Sequence, residues 1–120
     1  MMLNRMKSVT LALLLTATVM NTSVSMAQTV VYPVQITEVA TGWADATIGV
    51  YTDKPVVNPA HCPTPDLYVS EAADPGNRTY YAAALTALAN KLTTTLVISN
   101  TACSATGRPK LWAVTPSAPR

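Results

Sequence analysis

The chain has two cysteines, Cys62 and Cys103, and no others. In an exported protein two cysteines read as one disulfide. That bond would close a loop of about 42 residues and stabilise the fold by roughly 4 kcal/mol through loop-closure entropy. The loop would contain an Ala-rich segment, residues 77–91, which has the composition of a helix. The bond would join the segment before a third strand to the loop between the last two strands. A metal centre is the rival reading, because His61 precedes Cys62. A zinc site needs further ligands at regular spacing. There is neither a second histidine nor a Cys-x-x-Cys, so no metal and no cofactor is expected.

The oxidising compartment is suggested by the first residues. Arg5 and Lys7 make a short positive region. Residues 9–19 are mostly apolar, and Ser25-Met26-Ala27 places small residues at the −3 and −1 positions of a cleavage site. These are the parts of a secretory signal peptide. A membrane-spanning helix needs about 20 apolar residues, and this run is shorter, followed by Asn21, Thr22 and Ser23. Residues 1–27 are therefore read as a signal peptide and 28–120 as one domain, secreted or periplasmic, with no membrane span in the mature chain. All 5 methionines precede the proposed cut. Removing Arg5 and Lys7 brings the basic residues level with the 6 acids, so the +2 of the whole chain falls to about zero. No basic run survives to steer the protein toward nucleic acid.

Hydrophobic periodicity gives the elements. Residues 30–39 alternate, with Val30, Tyr32, Val34 and Ile36 on one face, which predicts a half-buried strand. Pro33 cannot donate to a ladder, so this strand is expected at an edge or bulged there. Residues 43–52 alternate again, with Ala44, Ala46, Ile48 and Val50 on the apolar face and Gly49 marking a bulge or bend. Leu67, Tyr68 and Val69 form a short third strand. Asp74-Pro75 suits a helix start, Asp as N-cap and Pro at the first helical position. Tyr81, Ala84, Leu85, Leu88 and Leu92 form one helical stripe. Residues 93–99 return to a strand with Thr94, Leu96 and Ile98 on one face. Residues 100–109 read as a loop. Residues 110–115 form a last strand, Leu111 and Ala113 opposite Lys110, Trp112 and Val114, and a tail follows. The order β-β-β-α-β-β is mainly β with one helix. It is the order of an OB-fold, a five-stranded Greek-key barrel; the alternative is an α+β sheet with one packed helix.

Little here supplies catalysis. His61 is the single histidine, in a Pro-rich loop, and there is no nucleophile elbow, no spaced carboxylate pair and no Gly-rich phosphate loop. No catalytic residue is assigned. Trp43, Tyr51 and Trp112 lie opposite the small aliphatic faces, where aromatics contact a ligand or partner, or else cover the sheet. Asn77-Arg78-Thr79 matches a glycosylation acceptor, though Asn77 serves better as a helix-start residue.

The run Asn58-Pro59-Ala60-His61-Cys62, then Asp66-Leu67-Tyr68-Val69, then Tyr80-Tyr81-Ala82-Ala83-Ala84-Leu85-Thr86-Ala87, then Cys103-Ser104-Ala105-Thr106-Gly107-Arg108-Pro109 resembles a group of small exported bacterial proteins of uncharacterised role. In layout the chain also resembles the receptor-binding B subunits of AB5 toxins, above all the subtilase cytotoxin B subunit. That resemblance implies an exported, disulfide-bonded OB-fold that assembles as a pentamer and binds cell-surface glycans. It places no sugar-binding residue in this chain. The expected function is thus a non-catalytic binding or assembly module, a homo-oligomer that recognises glycan or protein. The alternative is an inhibitor or regulator of an envelope or host enzyme, with the Pro-rich residues 53–65 as the inserting loop.

Overall fold

A computed structural model describes residues 27–119. The expected signal peptide lies outside them up to Met26. Six elements follow in order: β1 (Gln28–Thr41), β2 (Ile48–Thr52), β3 (Tyr68–Ser70), α1 (Asn77–Asn90), β4 (Thr93–Cys103) and β5 (Pro109–Ser117). The expected order, mainly β with one helix, is the observed one. The strands close into a ring, β1-β2-β3-β5-β4. Neighbours are antiparallel except β3 and β5, which run parallel through Val69 and Lys110. Inside lie Val31, Val34, Ile36, Ile48, Val50, Tyr68, Leu96, Ile98 and Leu111, joined by Ala84 and Ala87 of α1.

The inward faces are set by alternation, interrupted at bulges. In β4 the alternation holds: Thr94, Leu96 and Ile98 are buried as expected. In β1 it breaks. The register with β4 shifts between Val31 and Val34, where Pro33 brings no donor to the ladder. Val31, rather than Val30, therefore joins Val34 inside, and Val30 and Tyr32 are 56% and 64% exposed. A second shift, between Ile36 and Glu38, lets Val39 pack against the core. In β5 Ala113 pairs with Val97 but Leu111 pairs with Ile98, leaving Trp112 as the extra residue. Leu111 and Val114 thus both meet the core, although simple alternation puts them on opposite faces.

Gly49 differs from its expectation. It sits in unbroken register between Ala40 and Val69. A Cβ there would lie 2.8 Å from Leu67 Cδ1 and 3.1 Å from Trp43 Cη2. The glycine leaves room for side chains packed on the outside of β2, and no bulge is needed. Residues 43–47, expected in the strand, form the β1–β2 loop instead.

The helix begins two residues after the Pro75 start, with Gly76 at the cap. The Asp74 carboxylate is engaged elsewhere: it accepts from the Glu71 N–H at 2.8 Å and the Lys110 ammonium at 2.9 Å. Ala84 and Ala87 are buried, and Tyr80, Tyr81, Leu88 and Leu92 are half-buried against the core, whereas Leu85 faces out. Lys91 ends the helix in the left-handed region (φ 51°), and the Leu92 N–H donates back to Ala87 O at 3.0 Å, a Schellman-type stop. β4 extends through Asn100 to Cys103, and β5 through Pro116 to Ser117, where a loop and a tail were expected.

The Cys62–Cys103 disulfide is present, with Cα atoms 5.7 Å apart. Cys103 is the last residue of β4, so the bond ties a strand end to the irregular segment 53–67. That segment has other fastenings. The Asn58 amide donates to Cys62 O at 2.9 Å, and its Oδ1 accepts from the Cys62 N–H at 2.8 Å. The Val57 N–H donates to the buried Tyr68 hydroxyl at 2.8 Å. Thr64 N–H donates to Gly107 O at 2.9 Å in the β4–β5 loop.

Candidate ligand cleft

Three connections meet around one cleft of about 320 Å³. The β1–β2 loop contributes Asp45 and Thr47. The end of β3 and the turn after it contribute Val69, Glu71, Ala72 and Ala73. The β4–β5 loop contributes Ser104, Ala105 and Thr106. The cleft therefore joins parts of the chain far apart in sequence.

Its walls are tied together by side chains. Asn77, 4% exposed at the first turn of α1, donates from Nδ2 to Ala46 O at 3.1 Å, Ser70 O at 3.2 Å and Ser70 Oγ at 3.3 Å. Ala46 lies between Asp45 and Thr47, and Ser70 between Val69 and Glu71. One buried amide thus links two walls. Glu71 links the third, because its Oε1 accepts from the Ala105 N–H at 3.0 Å. Within the β4–β5 loop, Ser104 Oγ accepts from the Arg108 N–H at 3.0 Å and shares a hydrogen bond with Thr106 Oγ1 at 3.1 Å. Gly107 (φ 79°) makes the turn. Arg108 then holds the Asp66 carboxylate with two bonds, at 2.6 and 3.0 Å.

The electrostatics follow from these partners. Hydrogen bonds from Thr47 hold the Asp45 carboxyl below the usual carboxylate range. The Arg108 guanidinium does the same for Asp66. The Lys110 ammonium is pushed up, first by its bond to Asp74 and further by Glu71. Lys110 is thereby engaged by two carboxylates and does not line the cleft. Among the described residues the lining carries two carboxylates, three hydroxyls and no cation.

The aromatic residues singled out from the sequence divide into two groups, and none of the three lines the cleft. Trp43 is 56% exposed in the β1–β2 loop, two residues from Asp45, with its ring over Gly49. Tyr51 is half-buried, two residues beyond Gly49 on the same outward side of β2. Trp112 is 39% exposed at the β5 bulge. It belongs with Val30 and Val97, since Val30 pairs with Val97, which pairs in turn with Ala113. His61 is exposed at φ 53° in the segment 53–67, away from the cleft lining. Among the described residues, no group of three His, Cys, Asp or Glu side chains is placed to hold a metal ion.

No protein-family model matches the chain, and comparison with curated proteins and with solved structures finds no relative. Function must therefore be argued from the site itself. Sequence reasoning missed Asn77 in this role, because its triplet matches a glycosylation acceptor. The signal that could have found it is its position, a polar side chain at a helix start beside a short buried strand. Glu71 and Ser104 gave no signal, since they fall in a turn and a loop whose meeting only the fold supplies.

Proposed function

We propose that this chain is an exported, non-catalytic binding module of OB-fold type that recognises a glycan. The strand order in the ring, and a helix between the third and fourth strands, support the fold reading. The observation that carries the function is the cleft between the β1–β2 and β4–β5 loops. Those two loops and the β2–β3 face are where OB-folds bind oligosaccharides and oligonucleotides. Hydroxyls and carboxylates with no lining cation suit sugar hydroxyls and oppose phosphate. A disulfide with Cys62 buried and Cys103 half-buried agrees with an oxidising compartment. Trp43, in the β1–β2 loop two residues from Asp45 and with its ring over Gly49, supplies a stacking surface for a sugar ring.

A glycan array followed by titration tests this. We expect saturable binding to defined glycans, weakened on the order of tenfold by Trp43→Ala, as for an exposed aromatic anchor. Leu85→Ala, on the exposed face of α1 and outside the cleft lining, should leave it unchanged. A blank array, or a folded Trp43→Ala protein with full affinity, would sink the reading.

The proposal includes self-association, a ring of five in the B subunits the chain resembles. Its support is the uncharged outer strip of Val30, Tyr32, Val97 and Trp112, an apolar patch that water covers at a cost. Sedimentation velocity should give an oligomer that Tyr32→Glu converts to monomer. A wild-type monomer at tens of micromolar, roughly the range of weak standard-size interfaces, rejects assembly.

A further inference from the structure

We propose that the cleft takes an uncharged sugar residue and rejects acidic ones, because Asp45 and Glu71 line it beside Thr47, Ser104 and Thr106 with no cation. This rests on the glycan reading above and specifies its ligand. The volume, about 320 Å³, is at the small end of ligand pockets and fits one or two sugar rings. Its apolar lining, Val69 with the methyls of Ala72 and Ala73, suits the C–H face of a ring. Its rim presents acceptors. Glu71 spends Oε1 on the Ala105 N–H, and among the described residues its other carboxylate oxygen has no hydrogen-bond donor, so it is placed to accept from a sugar hydroxyl. A ligand carboxylate in the same place would meet two like charges at short range. The nearest ammonium, on Lys110, is already held at 2.9 Å by Asp74 and 3.7 Å by Glu71. Bringing an anion there means pulling that cation away from two carboxylates. The Asn77 and Glu71 ties also keep the walls from opening to hydrate such a ligand.

The test pairs methyl glycosides of neutral hexoses with their uronic acid counterparts, which differ in one exocyclic group. Affinities are read by calorimetry or ligand-observed NMR. We expect the neutral member of each binding pair to bind at least about tenfold tighter, the scale of one unfavourable charge contact near a surface. The double variant Asp45→Asn, Glu71→Gln keeps the acceptors for the Thr47 and Ala105 N–H groups and should reduce the preference to less than about threefold. Ala72→Trp, at an exposed lining position, should fill the cleft and abolish binding with an unchanged melting midpoint. A uronate that binds as well as its neutral partner overturns the inference and leaves glycan recognition standing. So does binding that survives Ala72→Trp, or a preference untouched in the double variant. If no sugar of either kind binds, on the array or in the pairs, the glycan reading itself fails and this inference falls with it.

Discussion

Replacing Cys62 and Cys103 together by Ser is expected to lower stability by about 4 kcal/mol, the loop-closure value for a bond spanning this much chain. The two residues are 41 apart in sequence, so the unfolded ensemble gains considerable freedom when the bond is lost. Small domains are stable by about 5–15 kcal/mol in all. The loss is therefore large but compatible with a folded variant at 25 °C. Its effects should concentrate where the bond acts. Cys103 ends β4 directly before Ser104 of the cleft, and Cys62 anchors the segment that reaches Tyr68 through Val57 and Gly107 through Thr64. Urea unfolding of the double variant, and of wild type with and without reductant, measures the size. Hydrogen exchange should place the loosened amides in residues 53–66 and 103–108. A reduced protein as stable as the oxidised one would show that this bond is not a staple. A fully folded reduced protein that lost binding outright would assign the bond to function rather than to structure.

The staple was legible because the sequence has only two cysteines to pair. The inward face of β4 was legible because Thr94, Leu96 and Ile98 alternate without interruption. The β1 bulge at Pro33 was expected, but which side chains it turns inward in β1, and the bulge in β5, were misread for one physical reason. A bulge inserts one residue, and every side chain beyond it changes face. Each bulge left a trace, however: apolar residues three apart, as in Val31 and Val34, Ile36 and Val39, or Leu111 and Val114. Within a strand that spacing marks a bulge rather than a helix. The helix start was misread for a different reason. Asp74 beside Pro75 is a sound local capping signal, but its carboxylate is claimed by Lys110, far along the chain. Long-range charge pairing of this kind has no local signature. The cleft was illegible for the same reason: Asp45, Glu71 and Ser104 meet only after the ring has closed.

Asn77 gives the second large effect. Asn77→Ala removes one donor shared by Ala46 O, Ser70 O and Ser70 Oγ, in a position 4% exposed. A buried acceptor left unsatisfied costs about 1–3 kcal/mol. Ser70 is itself fully buried, whereas Ala46 can be rehydrated from its exposed loop. The expected loss is therefore about 2–3 kcal/mol, dominated by the Ser70 end. N77D is more informative, because it keeps the shape and changes only the donor. At neutral pH it aims a carboxylate at two carbonyl oxygens, and burial of an unpaired charge costs about 3–5 kcal/mol. Burial and the carbonyls raise the folded-state pKa of that carboxyl above its unfolded value near 4. The folded state then holds the proton more tightly, so the deficit is largest above the folded-state pKa and shrinks as pH falls through it. Below about pH 4 the protonated acid donates to one carbonyl, and N77D should recover to within about 1–2 kcal/mol of wild type. Urea unfolding of wild type, N77A and N77D at pH 4 and pH 7 gives all six values. A pH-independent N77D deficit, or an N77A loss under about 0.5 kcal/mol, the range of ordinary surface substitutions, would show that the amide does not bear on these acceptors. With the deficit as expected, residues 42–47 should lose exchange protection in N77A before the β4–β5 loop does. The Asn77 amide reaches the first loop directly, whereas the second is held independently through Glu71 and the Asp66–Arg108 pair.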